Sequence, residues 1–263
     1  MLRLATNTLV RVLLAPACAA CHEPLDRPLD GAVCRACWGT IPLLTPPLCD
    51  FCGDPLPLAA APFRVCRRCL GDPAAFEMAR SAGLYAGSLR SILHAFKYNG
   101  RRALAAPLAA LMREAGASVL ADADAVVPVP LHPWRAMHRG FNQADDLARH
   151  LGLTVWQPLR RVRHGPPQAG LSGRQRRLNV RQAFGVRGRF TVGWEGALAR
   201  RLHNRTIVLV DDVMTTGATL DGCSRALLEA GAAAVRVLTV ARVPAPPPRP
   251  RPRERPLEVA PHR

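Results

Sequence analysis

Four C-x-x-C pairs follow one another within the first 70 residues, and this pattern constrains the fold more than any other feature of the chain. Two thiolates on one tight turn occupy neighbouring corners of a tetrahedron, so two such turns form a closed four-cysteine zinc site. The gaps between successive pairs are 12, 11 and 13 residues. Eight cysteines at this spacing predict two structural zinc ions, with Cys18, Cys21, Cys34, Cys37, Cys49, Cys52, Cys66 and Cys69 as ligands.

The spacing leaves the pairing of these motifs open. Consecutive pairs would give two tandem ribbons, which we favour, whereas alternating pairs would give a cross-braced module. A disulfide framework is the alternative to metal, but Arg11 interrupts the apolar stretch of the leader segment 1–15, so an export signal is not predicted. A redox role would need a surrounding strand–helix–strand context. A module this small depends on metal for much of its folding energy.

From about residue 80 the pattern changes to short apolar strands that alternate with amphipathic helices. A run that is apolar throughout, such as residues 206–210, is typical of a parallel strand covered on both faces. Short connections then predict an α/β fold with a parallel sheet flanked by helices. Cys223 shares a helical face with Leu220 and Leu227, which favours a small buried apolar residue. Further helices are predicted at 89–96, 104–112, 142–151 and 219–230, and strands at 125–129 and 235–240.

Residues 210–219 form the strongest candidate ligand site. The segment runs from a buried strand through Asp211 and Asp212 into a Thr/Gly loop that opens a helix. Backbone N–H groups at such a helix start bind anions, and paired carboxylates accept hydrogen bonds from vicinal sugar hydroxyls. A helix cap alone would need one Thr or Asp, not two acids, three threonines and a glycine in order. The segment therefore predicts a site for a phosphorylated diol.

The run from Ile207 to Thr219 resembles the phosphoribosyl pyrophosphate (PRPP) motif of type I phosphoribosyltransferases. Other segments narrow the resemblance to the ComF/GntX-like family, which carries an N-terminal double zinc ribbon. The resemblance covers residues 16–243, including the four C-x-x-C pairs. Its remaining segments are residues 127–131, 139–143, 168–172, 177–179 and 183–184, with Phe96-Lys97-Tyr98.

The resemblance implies roles for individual residues. Asp211 and Asp212 would be the catalytic pair that holds the ribose hydroxyls, and Thr215, Thr216, Gly217, Ala218 and Thr219 would bind the 5-phosphate of Mg²⁺-PRPP. Arg135, Arg139 and Gln143 would face the pyrophosphate, and residues 168–184 would form a lid. Lys97, the single lysine of the chain, is either a phosphate contact or a solvated helix end.

Together these observations divide the chain into a leader (1–15), a double zinc ribbon (16–72), a phosphoribosyltransferase-like domain (80–243) and a Pro/Arg-rich tail (244–263). The net charge of +17 favours anionic partners, and about half of it lies between Arg135 and Arg187. No apolar run approaches the roughly 20 residues that span a bilayer. We expect a cytoplasmic protein, and the resemblance allows a peripheral position at the inner membrane.

Three functions fit the sequence. The chain is a phosphoribosyltransferase of unknown acceptor, a non-catalytic PRPP-binding regulator, or a zinc-ribbon docking protein for nucleic acid or a protein partner. The family resemblance implies a role in competence and DNA uptake, with single-stranded DNA or an uptake helicase as partner. The sequence leaves the oligomeric state open, and a homo-oligomer is compatible with it. The intact acidic pair and Thr/Gly loop argue against the docking role as a complete account.

Overall fold

The computed structural model describes residues 6–7, 10, 12, 14–58, 64–98, 100–131, 137, 140–162, 183–187 and 200–244. Four parallel strands form the central sheet, in the order β1-β6-β5-β2. The strands are β1 (Met78–Leu84), β2 (Ala125–Pro128), β5 (Thr206–Met214) and β6 (Ala234–Arg242). A separate antiparallel pair consists of β3 (Leu159–Arg161) and β4 (Phe184–Val186). The prediction of a parallel α/β sheet is confirmed.

Helices cover both faces of the sheet. The predicted face of Leu89, Ile92, Leu93 and Phe96 is buried, because residues at this spacing share one side of a helix. One face carries α3 (Gly87–Tyr98), α4 (Ala105–Ala115), α5 (Ala117–Leu120) and α6 (Gln143–Ala148); the other carries α7 (Ala218–Glu229). Two short helices, α1 (Arg35–Gly39) and α2 (Arg67–Gly71), belong to the N-terminal cysteine module. Among the residues that the structure describes, each helix is too short or too polar to span a bilayer.

Strand β5 is longer than the predicted apolar run. It continues beyond Val210 to Met214, because β6 pairs with it along this whole length. Asp211 lies opposite Thr239, and Met214 lies opposite Arg242. The acidic pair is therefore part of the sheet itself, at its carboxyl edge, which is where ligands bind in open α/β folds.

The cysteine module covers the exposed side of β1, the edge strand of the sheet. The link between the two halves of the module pairs with this strand: the Leu44 N–H donates to the Ala82 carbonyl at 3.0 Å, and the Leu84 N–H to the Pro42 carbonyl at 2.8 Å. Nearer the amino end of β1, the Ala79 N–H donates to the Phe51 carbonyl at 2.6 Å. An unpaired edge is a template for aggregation, so this cover both fixes the module and protects the sheet.

Arg242, the last residue of β6, joins the module to the sheet. Its side chain is 0% exposed, and its Nε donates to Asp54 Oδ1 at 2.6 Å. Its Nη1 donates to the Cys52 carbonyl at 2.7 Å and lies 3.1 Å from Met214 Sδ, and its Nη2 lies 3.4 Å from Cys52 Sγ. One buried guanidinium therefore contacts the second half of the cysteine module and the end of β5 together.

We expect Arg242→Met to lower the free energy of unfolding by about 3–5 kcal/mol, because the buried Asp54 carboxylate loses its 2.6 Å partner and keeps only the longer pair with Arg68, at 4.0 Å. Urea denaturation of the zinc-loaded protein measures the change. Arg236→Met is the matched control on the same strand. Arg236 pairs with Glu77, which is 55% exposed, and donates to the Ala121 carbonyl at 2.6 Å. The variant leaves no buried charge unpaired, so we expect a loss of about 1–2 kcal/mol. Equal losses in both variants would contradict the assignment, as would failure of Asp54→Asn to recover stability in the Arg242→Met background.

Candidate functional site

The acidic pair ends the apolar part of β5. Asp211 is half-buried, and Asp212 is 9% exposed. The backbone N–H of Asp212 donates to Asp211 Oδ1 at 2.8 Å, which orients the Asp211 carboxylate. Two neighbouring carboxylates at a sheet edge can accept hydrogen bonds from adjacent hydroxyls or coordinate Mg²⁺ through hard oxygen ligands.

Lys97 lies against this pair. It is in the last turn of α3, and its Nζ is 3.0 Å from Asp212 Oδ1. The two side chains are only 13% and 12% exposed, so the ammonium is enclosed rather than solvated. It also lies 5.9 Å from the ring centroid of Tyr85, the residue that follows β1. Lys97 therefore fixes the Asp212 carboxylate and adds a positive charge to the edge of the sheet.

The Thr/Gly loop connects β5 to α7. Gly217 adopts φ +80°, a conformation that favours glycine, and a Cβ there would lie 2.9 Å from Met214 Cε. Thr215 and Thr216 are exposed, and the Ala218 N–H donates to Thr216 Oγ1 at 3.4 Å. Thr219 follows in the first turn of α7. Backbone N–H groups at the start of a 12-residue helix, beside exposed hydroxyls, are groups that can donate hydrogen bonds to an anion.

Of the segment from Arg135 to Gln143 that is predicted to face pyrophosphate, the structure describes Met137 and residues 140–143. Asn142 begins α6: its Oδ1 accepts the Ala144 N–H at 3.2 Å, and its Nδ2 donates to the Val129 carbonyl at 3.1 Å. The segment is thus fastened to the end of β2. Gln143 is 1% exposed, so its contact with a ligand stays a prediction. Arg135 and Arg139 lie outside the described residues, as does the predicted lid apart from Ala183 and Phe184.

The eight cysteines form two clusters of consecutive pairs. Cys18, Cys21, Cys34 and Cys37 make one cluster, and Cys49, Cys52, Cys66 and Cys69 make the other, with all Sγ atoms of a cluster within 4.8 Å of one another. Sulfurs around one zinc lie about 3.8 Å apart, given Zn–S bonds of about 2.3 Å in a tetrahedron. The Cys21–Cys34 and Cys52–Cys66 Sγ distances are 3.8 and 3.6 Å. Both clusters fit zinc, and the tandem arrangement is confirmed.

The two ribbons repeat the same backbone geometry. In each, the first cysteine N–H donates across the knuckle at 2.8 Å, from Cys18 to Glu23 and from Cys49 to Asp54. In each, a backbone N–H from the third cysteine points at the first sulfur at 3.3 Å. The helix after the third cysteine starts with an arginine, Arg35 in the first ribbon and Arg67 in the second.

The first thiol of each cluster is prepared for metal. Burial raises the pKa of Cys18, but N–H groups of Cys21, Cys34 and Ala20 outweigh it and lower that pKa to about 6. The same balance lowers the pKa of Cys49 to about 7. Burial and the neighbouring thiols raise the pKa of other members, which are Cys21, Cys37, Cys66 and Cys69. Without a cation, neither cluster can hold four thiolates near neutral pH.

Cys223 lies apart from both clusters, on α7. It is 0% exposed, as expected for a small apolar residue of that helix. Burial, with the nearby Asp211 charge, raises the pKa of its thiol well above the ordinary value. It is a neutral packing residue beneath the acidic pair.

Comparison with known proteins matches both halves of the chain. Residues 9–70 match the double zinc ribbon domain, and residues 137–255 match the phosphoribosyl transferase domain. Competence protein F of Haemophilus influenzae is 31% identical, over 86% of this chain and 96% of its own length. The DNA utilization protein YhgH of Salmonella typhimurium is 35% identical over the same shares. Competence protein ComFC of Bacillus subtilis is 30% identical, over 78% of this chain and 81% of its own.

Zinc affinity should fall steeply with acidity. Two thiols in each cluster have raised pKa values, so zinc must displace at least two protons when it binds to a site. As the pH falls, protons compete more strongly with zinc for these sulfurs. We expect the affinity of each site to fall by about 100-fold per pH unit near neutrality, from that proton count. Competition with a chromophoric chelator across this range measures the slope. A slope of one decade or less per pH unit would contradict the thiol assignments.

Proposed function

Because the chain belongs to the family that includes competence protein F and ComFC, we propose that it binds Mg²⁺-PRPP at the carboxyl edge of the sheet. The observation that carries the proposal is the continuity of β5, the Thr/Gly loop and α7. Within nine residues they offer a carboxylate pair and an anion-binding helix start. A phosphorylated sugar needs both features, the carboxylates for its ring hydroxyls and the helix start for its phosphate.

In this proposal each group has one task. Asp211 and Asp212 accept hydrogen bonds from the 2′- and 3′-hydroxyls of the ribose. Residues 215–219 bind the 5-phosphate through backbone N–H groups and threonine hydroxyls. The Lys97 ammonium, 3.0 Å from Asp212 Oδ1, holds that carboxylate in place and reduces its repulsion of the ligand's phosphates.

The reaction proposed for bound PRPP is transfer of its phosphoribosyl group to an acceptor. A nucleophile would attack C1 of the ribose, the C1–O bond to pyrophosphate would break, and pyrophosphate would leave. When bound with PRPP, Mg²⁺ supplies positive charge that neutralises the pyrophosphate. The chain's own contribution is positioning of the ribose and electrostatic stabilisation at its edge. Release of pyrophosphate with a panel of candidate acceptors tests this reaction, and binding without release would favour a PRPP-binding regulator.

A role in DNA handling is the cellular part of the proposal. Its support is the names of the relatives, which are competence and DNA utilization proteins, and the net charge of +17. If single-stranded DNA binds through electrostatics, the logarithm of its binding constant should fall linearly with the logarithm of the salt concentration. Fluorescence anisotropy with a labelled oligonucleotide, with and without Mg²⁺-PRPP, tests whether the two ligands are coupled.

We expect the double variant Asp211→Asn, Asp212→Asn to lose at least about 100-fold in affinity for Mg²⁺-PRPP, because two charge-assisted hydrogen bonds become neutral ones. Calorimetric titration into the zinc-loaded protein measures this. Asp122→Asn is the matched control: Asp122 is exposed, and its φ of +54° suits asparagine equally well. The absence of heat in the folded wild-type protein would overturn the proposal.

A further inference from the structure

A cavity of about 530 Å³ lies between the second zinc ribbon and the Thr/Gly loop. One wall is α2 of the ribbon, with Arg67 and Arg68. The opposite wall is residues 214–218, at the end of β5 and the start of α7. Phe76 and Ala74, which precede β1, add an apolar floor. The cavity is thus built by both halves of the chain, and its volume is that of an ordinary small-molecule site.

The cavity starts at the Thr/Gly loop and extends away from the acidic pair. The loop lines it, but neither Asp211 nor Asp212 does. A ligand with its ribose on these acids and its 5-phosphate on the loop would turn the phosphate, not C1, toward the ribbon. An acceptor that attacks C1 would therefore lie outside this cavity. A further group of the same ligand that entered this cavity would therefore be attached through the 5-phosphate.

Arg67 is the cation available to such a group. Arg68 is already engaged, with its Nη2 3.5 Å from Cys52 Sγ and 4.0 Å from Asp54 Oδ2. Arg67 is exposed and makes no hydrogen bond or ion pair with any residue of the described parts. A free guanidinium facing an anion-binding loop across a cavity can bind a second phosphate.

The acids that line the cavity do not cancel this charge. Asp221 accepts the Ala75 N–H at 2.7 Å and the Arg225 Nε at 3.3 Å, so its carboxylate is occupied. Asp72 is exposed, where water screens its charge. The floor at Phe76 is 4% exposed and apolar, which suits a planar or apolar group beyond the second phosphate.

We infer that the second zinc ribbon is a wall of the ligand site, and that the cavity accepts ribose 5-phosphates whose phosphate carries a further phosphate group. Arg67 binds that second phosphate. The inference rests on the proposed function, because it uses the ribose and 5-phosphate positions given above. It extends the ligand class from PRPP, which ends at its 5-phosphate, to nucleotide-like compounds that continue past it.

The test compares ribose 5-phosphate with ADP-ribose, the same sugar phosphate extended through its phosphate by AMP. Calorimetric titration uses the zinc-loaded full chain with Mg²⁺. We expect ADP-ribose to bind about tenfold more tightly, the effect of one added charge-assisted hydrogen bond. Arg67→Ala should remove this advantage and leave ribose 5-phosphate binding unchanged, and Arg67→Lys should retain part of it.

Arg35→Ala is the matched control, since Arg35 starts the equivalent helix of the first ribbon and is also exposed. It should leave both affinities unchanged, with the same zinc content as Arg67→Ala. Equal binding of the two ligands, when Asp211→Asn with Asp212→Asn still abolishes ribose 5-phosphate binding, would overturn the inference and leave the proposed function standing. Binding of neither ligand nor of PRPP would overturn both.

Discussion

The buried guanidinium of Arg242 is the contact on which the arrangement of the two halves depends. It ends β6, yet its partners are Asp54 and Cys52 of the second ribbon and Met214 of β5. A buried arginine is tolerated only where its donors are satisfied, and here a carboxylate and a carbonyl accept from it at 2.6 and 2.7 Å. Because Met214 also packs against Gly217, the position of the ribbon is linked to the conformation of the Thr/Gly loop.

The two ribbons repeat one design but have different neighbours. The first packs with α3 in one hydrophobic core, through Cys18, Leu25 and Val33. The second packs in the other core beside β1, where a Cβ on Gly53 would lie 2.7 Å from the Ala79 carbonyl. At the carboxyl end of the strands, the contacts of Arg242 with Asp54 and Cys52 bring the second ribbon beside the Thr/Gly loop. Two metal modules of the same geometry therefore have different roles: one packs against a helix, and the other borders the candidate site.

Local patterns predicted much of this molecule, and contacts distant in sequence account for the rest. The metal clusters could be anticipated because ligand spacing is a local property, and the parallel sheet because β5 and β6 are apolar runs. The strand β1 and its pairing with residues 42–44 were missed, since its mixed sequence carries no period. Lys97 and Asp212 are 115 residues apart in the sequence. No sequence pattern indicates their contact, apart from the fact that Lys97 is the single lysine of the chain. Arg242 had one signal, a charged residue that ends the uncharged run 237–241.

Electrostatics explains why arginines gather around the second ribbon. Four thiolates and one Zn²⁺ carry a net charge of about −2, and Asp54 adds a further negative charge. Beside an anion-binding loop, such a centre would repel a phosphate. Arg242 and Arg68 place donors 3.4 and 3.5 Å from Cys52 Sγ and so offset the charge at its source. Because both of these arginines are engaged, Arg67 is the cation of α2 that faces the cavity. The arginines that offset the negative charge of the metal centre therefore also allow an anion to bind beside it.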